Sequence, residues 1–148
     1  MDTRHIQRIA IVQNIFSYGF SPHTTDRFPY LDKSSKESEE TLRLYLNDSG
    51  KENLDDIEKR VFATSGKIIS NLTEIDKKIS SLAVKFPIEK IAKIDLAILR
   101  LAVFELTVEK KEPQRVVINE AVELAKELGG DKSYAFINGV LGKLIENK

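Results

Sequence analysis

The segment 54–82 carries the feature that most restricts the fold, which is an apolar residue at alternating intervals of three and four positions. This spacing places the apolar side chains on one face of a helix, whereas a half-buried strand would need an apolar residue at every second position. Ser65 is the one polar position in the stripe, and we expect Gly66 to kink or split the helix. Phe86-Pro87 should end it, because the residue before proline avoids helical backbone angles. The apolar positions are Leu54, Ile57, Val61, Ile68, Leu72, Ile75, Ile79 and Leu82.

Most of the remaining chain has the same helical periodicity, and no segment alternates as a strand does. We expect Gly19 to stop the first helix, Pro113 to occupy a first-turn position, Gly129-Gly130 to close the penultimate helix and Asp131 to cap the last. The sequence therefore predicts one all-α domain over residues 1–148, a compact bundle of six to seven helices. The further predicted helices cover 3–18, a short stretch near 36–47, a largely apolar and therefore central helix over 88–109, then 116–128 and 133–148, with a long loop over 19–35.

The last predicted helix contains two glycines, Gly139 and Gly142, where a helix normally has none. Each glycine costs about 1 kcal/mol relative to alanine in a helix interior. Because the two glycines lie three positions apart, they share one side of the helix. We expect a neighbouring helix backbone to approach closely there, so that Gly139→Leu should overpack the contact and destabilise the protein by more than ~1 kcal/mol.

Composition excludes several classes of protein. The 148 residues suit one domain and include no Cys, which excludes disulfides and thiolate chemistry and fits a cytoplasmic protein. The start of the chain lacks the features of a signal peptide, and no apolar run approaches the ~20 residues that cross a membrane. The 23 basic and 23 acidic residues balance. Segment 31–60 is acidic and both ends are slightly basic, so an anion-binding surface would have to form where the ends fold together.

Residues for catalysis or metal binding are scarce. The two histidines, His5 and His23, lie in different predicted elements without the spacing of a metal site. The chain has no glycine-rich phosphate loop and no nucleophile elbow. Glu120, Glu123 and Glu127 recur at helical spacing and are most simply a solvated face. An enzyme working through this acidic helix is therefore the least supported hypothesis, and the sequence predicts no cofactor and no metal.

Four motifs, found in this order along the chain, resemble the NusB family of bacterial transcription antitermination factors. The resemblance implies two small helical bundles and a protein that, together with the ribosomal protein NusE, binds boxA-type RNA and acts indirectly on the RNA polymerase elongation complex. It implies neither catalysis nor a cofactor. NusB-like domains also occur fused to methyltransferases, and we expect no such segment here. The motifs are RHIQRIAIVQNIF at 4–16, IDLAILRLAVFEL at 94–106, PQRVVINEAVELAK at 113–126 and FINGVLGKL at 136–144.

The resemblance assigns RNA contacts to both ends of the chain, which we expect to meet as neighbouring helices. Four residues depart from the family pattern: Ile6 stands where Arg is common, Lys132 stands where an acid is frequent, Ala135 replaces a usual Lys, and Gly142 replaces a usual Asp. The basic arm is thinner because of Ile6. The matching positions are Arg4, His5, Arg8, Gln13 and Phe16 in the first helix, and Ser133 and Phe136 at the start of the last one; Lys132 is also predicted to contact RNA.

The partner protein is expected to dock on the central helix, through Asp95, Arg100 and Glu105. For these residues the side-chain chemistry leaves two interpretations open, since Asp95 and Arg100 suit either the partner or an internal pairing with Glu105. Phe136 suits either a base-stacking ring or a core residue, and the two arginines of the arm suit either phosphates or solvent. The alternative to an RNA-binding factor is a helical protein-interaction module with weak or no RNA binding.

Overall fold

The computed structural model describes residues 3–20 and 54–146, in which every regular element is helical. The chain divides into two compact units, Met1–Ile69 and Ser70–Lys148. The predicted all-α fold is confirmed. The short helix predicted near 36–47 and the loop residues 21–35 lie outside the described residues. The helices are α1 Thr3–Phe20, α2 Leu54–Ser70, α3 Leu72–Leu82, α4 Lys93–Phe104, α5 Gln114–Leu128 and α6 Ser133–Glu146.

In the first unit, α1 and α2 bury the apolar stripes that define them. The polar position in the stripe of α2 has a specific partner, because the Asn14 side-chain amide donates a hydrogen bond of 3.1 Å to the Ser65 hydroxyl. Both residues are fully buried. The prediction that Gly19 stops α1 is wrong, since the helix continues to Phe20; a glycine weakens a helix without removing its hydrogen bonds. The buried apolar residues of these helices include Ile6, Ile9, Val12, Ile15, Ile57, Val61 and Ile68.

The split within 54–82 falls at Asn71 and not at Gly66. Asn71 has non-helical angles of φ −106° and ψ 13°, and its carbonyl accepts the hydrogen bond of the Ile75 amide at 3.0 Å. Asparagine favours helix ends because its side chain competes for backbone hydrogen bonds, which outweighs the weaker effect of a mid-helix glycine. Helix α3 then ends at Leu82, four residues before Phe86.

Helix α4 is the centre of the second unit, since every residue from Asp95 to Phe104 is buried. It packs against α3, α5 and α6. The single helix predicted over 88–109 is instead three segments: a 3-10 turn at Ile88–Lys90, then α4, then a π-helical turn at Glu105–Glu109. Extended angles at Ile91 separate the first two segments, and Lys110 ends the third with a left-handed φ of 55°. The apolar periodicity continues through all three segments, so it does not predict where one segment ends and the next begins.

The turn between α5 and α6 is built by a serine. Helix α6 begins at Ser133, so Asp131 lies too early to cap it and that prediction is wrong. The Gly130 amide donates a hydrogen bond of 3.0 Å to the Ser133 hydroxyl, which ties the turn to the first residue of the helix. Pro113 precedes α5 as its N-cap and not within its first turn, while Gly129 ends α5 as predicted.

The expectation that a helix backbone packs on the glycines of α6 is wrong. A Cβ atom built on Gly139 or on Gly142 would meet nothing within 4 Å. Gly139 is exposed. The apolar stripe of α6 faces the core as predicted, through Ile137, Val140, Leu141 and Leu144.

Candidate nucleic-acid interface

Helix α1 presents its three predicted cationic or ionisable side chains to different environments. Arg4 is exposed, whereas His5 and Arg8 retain only 8% and 7% of their surface. Each of the three takes part in polar or electrostatic interactions within the protein. Arg4 is therefore the member of this set best placed to meet a phosphate, and burial gives His5 and Arg8 a structural part in α1 as well.

The other two predicted residues of α1, Gln13 and Phe16, are half-buried. The side-chain oxygens of Gln13 and Asn14 are buried, and neither has a hydrogen-bond donor among the residues that the structure describes. A buried acceptor without a donor costs about 1–3 kcal/mol. The exposed part of Gln13 therefore does not include this oxygen.

The start of α6 combines an exposed cation with the N-terminal end of a helix, where the helix dipole favours anions. Lys132 is exposed and directly precedes the helix, while Ser133 is buried and bonded to Gly130. The Phe136 ring is half-buried and meets the Phe86 ring edge-on, with 5.2 Å between centroids and an angle of 80°. Phe136 therefore packs inside the unit and still keeps part of its surface accessible.

Sequence reasoning missed a groove beside this position. It lies between α6 and the segment following α3, and its volume is about 210 Å³. We call it the α6 groove and define it by Val84, Lys85, Phe86, Phe136, Gly139 and Lys143. The sequence offers two signals here, since Phe86-Pro87 predicts a helix end and Gly139 predicts a close helix contact, and neither indicates a groove.

The predicted partner-binding residues lie on or just after α4. Asp95 is 7% exposed, and its Oδ1 has no hydrogen-bond donor among the described residues. The Arg100 guanidinium forms a bidentate ion pair with Asp76 on α3, with Nε–Oδ1 and Nη2–Oδ2 both at 2.9 Å. Neither interpretation from the sequence had included Asp76. Glu105 is half-buried in the π-helical turn.

The described residues offer neither a metal site nor a membrane-spanning helix. Within residues 3–20 and 54–146, no group of three or more His, Asp or Glu side chains is arranged to hold a metal ion. No helix in these ranges has the length and apolar character needed to cross a membrane.

Comparison with known proteins identifies the family. The model of the NusB family matches residues 5–146, which include every described residue except Thr3 and Arg4. The chain belongs to the NusB family. The resemblance carried by the four sequence motifs is therefore confirmed.

Individual NusB proteins match to different extents. Transcription antitermination protein NusB of Clostridium botulinum (strain Kyoto / Type A2) is 54% identical over 78 residues, which are 53% of this chain and 54% of that protein. The chain thus spans about half the length of this relative. The NusB protein of Agathobacter rectalis is 40% identical over 136 residues, covering 92% of this chain and 97% of the relative.

Solved NusB structures share the fold. T. maritima NusB superposes with a TM-score of 0.72 at 27% identity, covering 97% of this chain and 90% of that one. A crystal structure of antitermination factors NusB and NusE in complex with dsRNA gives a TM-score of 0.71 at 19% identity, covering 100% of this chain and 99% of that one.

Proposed function

We propose that this protein is a transcription antitermination factor that binds boxA-type single-stranded RNA together with NusE and supports ribosomal RNA transcription in the cytoplasm. It would reach RNA polymerase indirectly, through the elongation complex. The observation that carries the proposal is the NusB family match over residues 5–146, supported by relatives named transcription antitermination proteins.

The RNA contacts are proposed at α1 and at the start of α6. Arg4 and Lys132 are exposed cations that would neutralise phosphates. Phe16 and Phe136 offer partly accessible aromatic rings, and the half-buried Gln13 would contact RNA with the surface that it retains. Of the more buried predicted contacts, His5 and Arg8 would fix the conformation of α1 and touch RNA with the small surface they retain. Ser133 would orient the first turn of α6 through its bond to Gly130.

The NusE contact is proposed around α4. Asp95 is 7% exposed and would meet the partner with the small surface that it retains. Glu105 would add a second contact. Arg100 is held by Asp76 and would act by fixing α4 against α3, so that its effect on NusE binding is indirect.

The decisive experiment titrates boxA-containing RNA and a scrambled RNA of equal composition into the protein, with and without NusE, at two salt concentrations. We expect the boxA sequence to bind more tightly and NusE to increase the difference. If the scrambled RNA binds equally well in the presence of NusE, sequence-specific recognition is refuted.

The phosphate contacts can be tested individually. Arg4→Gln and Lys132→Gln should each reduce the slope of log K against log salt by about 0.7, the value for one phosphate of a single strand. Lys77→Gln is the matched control, because Lys77 is an exposed cation on α3, outside both proposed RNA-binding segments. An equal loss of slope in the control would show that the effect reflects total charge and not specific contacts.

A second candidate function is a protein-interaction module with weak RNA binding. It is favoured by the burial of Arg8, which reduces the charge that α1 presents, and by the exposed apolar side chains of Val108 and Val116. The same titration separates the two functions, since tight binding of NusE without a measurable change in RNA affinity would support this alternative.

A further inference from the structure

The α6 groove is small and open, and it lies within one unit of the protein. Its volume of about 210 Å³ is below the ~300 Å³ at which typical small-molecule sites begin. The groove therefore suits a single ring system, and a complete cofactor would be too large for it.

Gly139 forms part of the groove, and its presence in a helix has no explanation in the packing of the protein. The residue is exposed, and a Cβ atom there would meet nothing within 4 Å. Glycine lowers helix propensity, and here no close packing within the protein explains its presence. A glycine also permits the close approach of a ligand to the backbone. Any larger side chain at this position would project into the groove and fill it.

Two apolar side chains in the walls of the groove are strongly exposed to solvent. Phe86 is 47% exposed and Val84 is 78% exposed. The edge-on contact with Phe136 holds the Phe86 ring in place, so that a flat ring entering the groove would meet aromatic surface already in position.

Two lysines define the charge of the groove. The Lys143 ammonium donates a hydrogen bond of 3.3 Å to the carbonyl of Leu82, the last residue of α3, and two of its three N–H donors remain for a ligand. Lys85 is exposed on the opposite wall. The lining residues include no acidic side chain. This combination favours a ligand that has a flat apolar part with anionic groups beside it.

We propose that the α6 groove holds one unstacked base of single-stranded RNA, with Phe86 and Phe136 against the base and with Lys85 and Lys143 at the flanking phosphates. This inference rests on the proposed RNA-binding function and adds Phe86, Gly139 and the two lysines to it. A nucleotide satisfies both the aromatic walls and the cationic rim, whereas an apolar side chain of a protein partner would leave the lysines unused.

The test uses the full-length protein and the boxA-containing RNA of the preceding experiment. Phe86→Ala and Gly139→Leu should each weaken RNA binding about tenfold, within the range for loss of one stacked base. Phe86→Trp is the matched control and should retain binding, because it keeps an aromatic wall. Gly139→Ala adds a single methyl group and should weaken binding less than Gly139→Leu does. Lys85→Gln should lower the salt slope by about 0.7.

Thermal melts first identify the variants that fold. RNA carrying 4-thiouridine should cross-link on irradiation to the wild-type peptides that contain Phe86 or Phe136.

Three further outcomes decide between the groove inference, a protein partner at the groove and failure of the proposed function. If the wild-type protein binds RNA but Phe86→Ala and Gly139→Leu bind it equally well, the groove inference is wrong and the proposed function stands. If these variants lose NusE and keep RNA, the groove belongs to a protein partner. If the wild-type protein binds no RNA with NusE present, the proposed function fails first.

Discussion

Replacing glycine by alanine should have opposite effects at two positions, Gly139 inside α6 and Gly129 at the end of α5. At Gly139, in the exposed interior of α6, a Cβ atom meets nothing within 4 Å. Alanine there gains helix propensity and restricts the unfolded chain, which together should stabilise the protein by about 1 kcal/mol. This reverses the sequence-based expectation that a side chain at this position destabilises the fold.

At Gly129 the same substitution should destabilise the protein. A Cβ atom would lie 2.5 Å from the Ser133 hydroxyl oxygen, 2.6 Å from the Ser133 Cβ and 2.8 Å from the Ala125 carbonyl oxygen. Its φ of −95° is accessible to any residue, so the cost comes from overlap alone. Relieving that overlap would move Ser133 away from the Gly130 amide, and overpacking of this kind typically costs about 1–3 kcal/mol.

Thermal melts followed by circular dichroism, with urea titrations for the free energies, measure both changes. For a chain of this length, 1 kcal/mol corresponds to about 2–4 °C in Tm. Gly139→Ala should therefore raise Tm by about 3 °C, and Gly129→Ala should lower it by about 3–10 °C. A lower Tm for Gly139→Ala, or an unchanged one for Gly129→Ala, would refute the assignment of open space at one position and close packing at the other.

Two further substitutions test the buried polar contacts. Ser65→Ala should cost about 1–3 kcal/mol of stability because it leaves the buried Asn14 amide without its acceptor. In urea titrations, adding Asn14→Leu should recover part of this loss. Additive losses would argue against the contact. Asp76→Ala should cost about 3 kcal/mol of stability because it leaves the buried Arg100 unpaired. Glu74→Ala breaks an exposed pair and should cost less than about 1 kcal/mol. Equal losses would show that burial does not determine the strength of these two pairs.

Helical periodicity was sufficient to predict the class of the fold, because it records which face of each helix is buried. It also identified Ser65 as an unusual polar position within an apolar stripe. It could not identify Asn14 as the partner, since that contact joins residues 51 positions apart. Arg100 shows the same limit: the sequence suggested Glu105, a residue nearby in the chain, and the structure pairs Arg100 with Asp76 on another helix.

The predicted helix boundaries were less accurate, and the errors have a common cause. A glycine or an apolar stripe indicates a tendency of the backbone, while the actual break depends on where hydrogen bonds change. The turn at Asn71 and the π-helical turn at Glu105–Glu109 both leave the apolar pattern intact. The Lys110 amide donates to the Glu105 carbonyl at 2.9 Å across five residues, and no sequence pattern that we considered reports this change.

The α6 groove illustrates how a site can be half visible in a sequence. Phe136, Gly139 and Lys143 follow one another at intervals of three and four residues, so periodicity places them on one face of α6. The opposite wall comes from Val84, Lys85 and Phe86, about fifty residues earlier, and only the folded chain brings the two together. Without that wall, Gly139 predicts only a close contact with another helix. In the folded chain, Gly139 lies in open space beside aromatic surface and two lysines. We therefore attribute its place in α6 to a ligand and not to the packing of the fold.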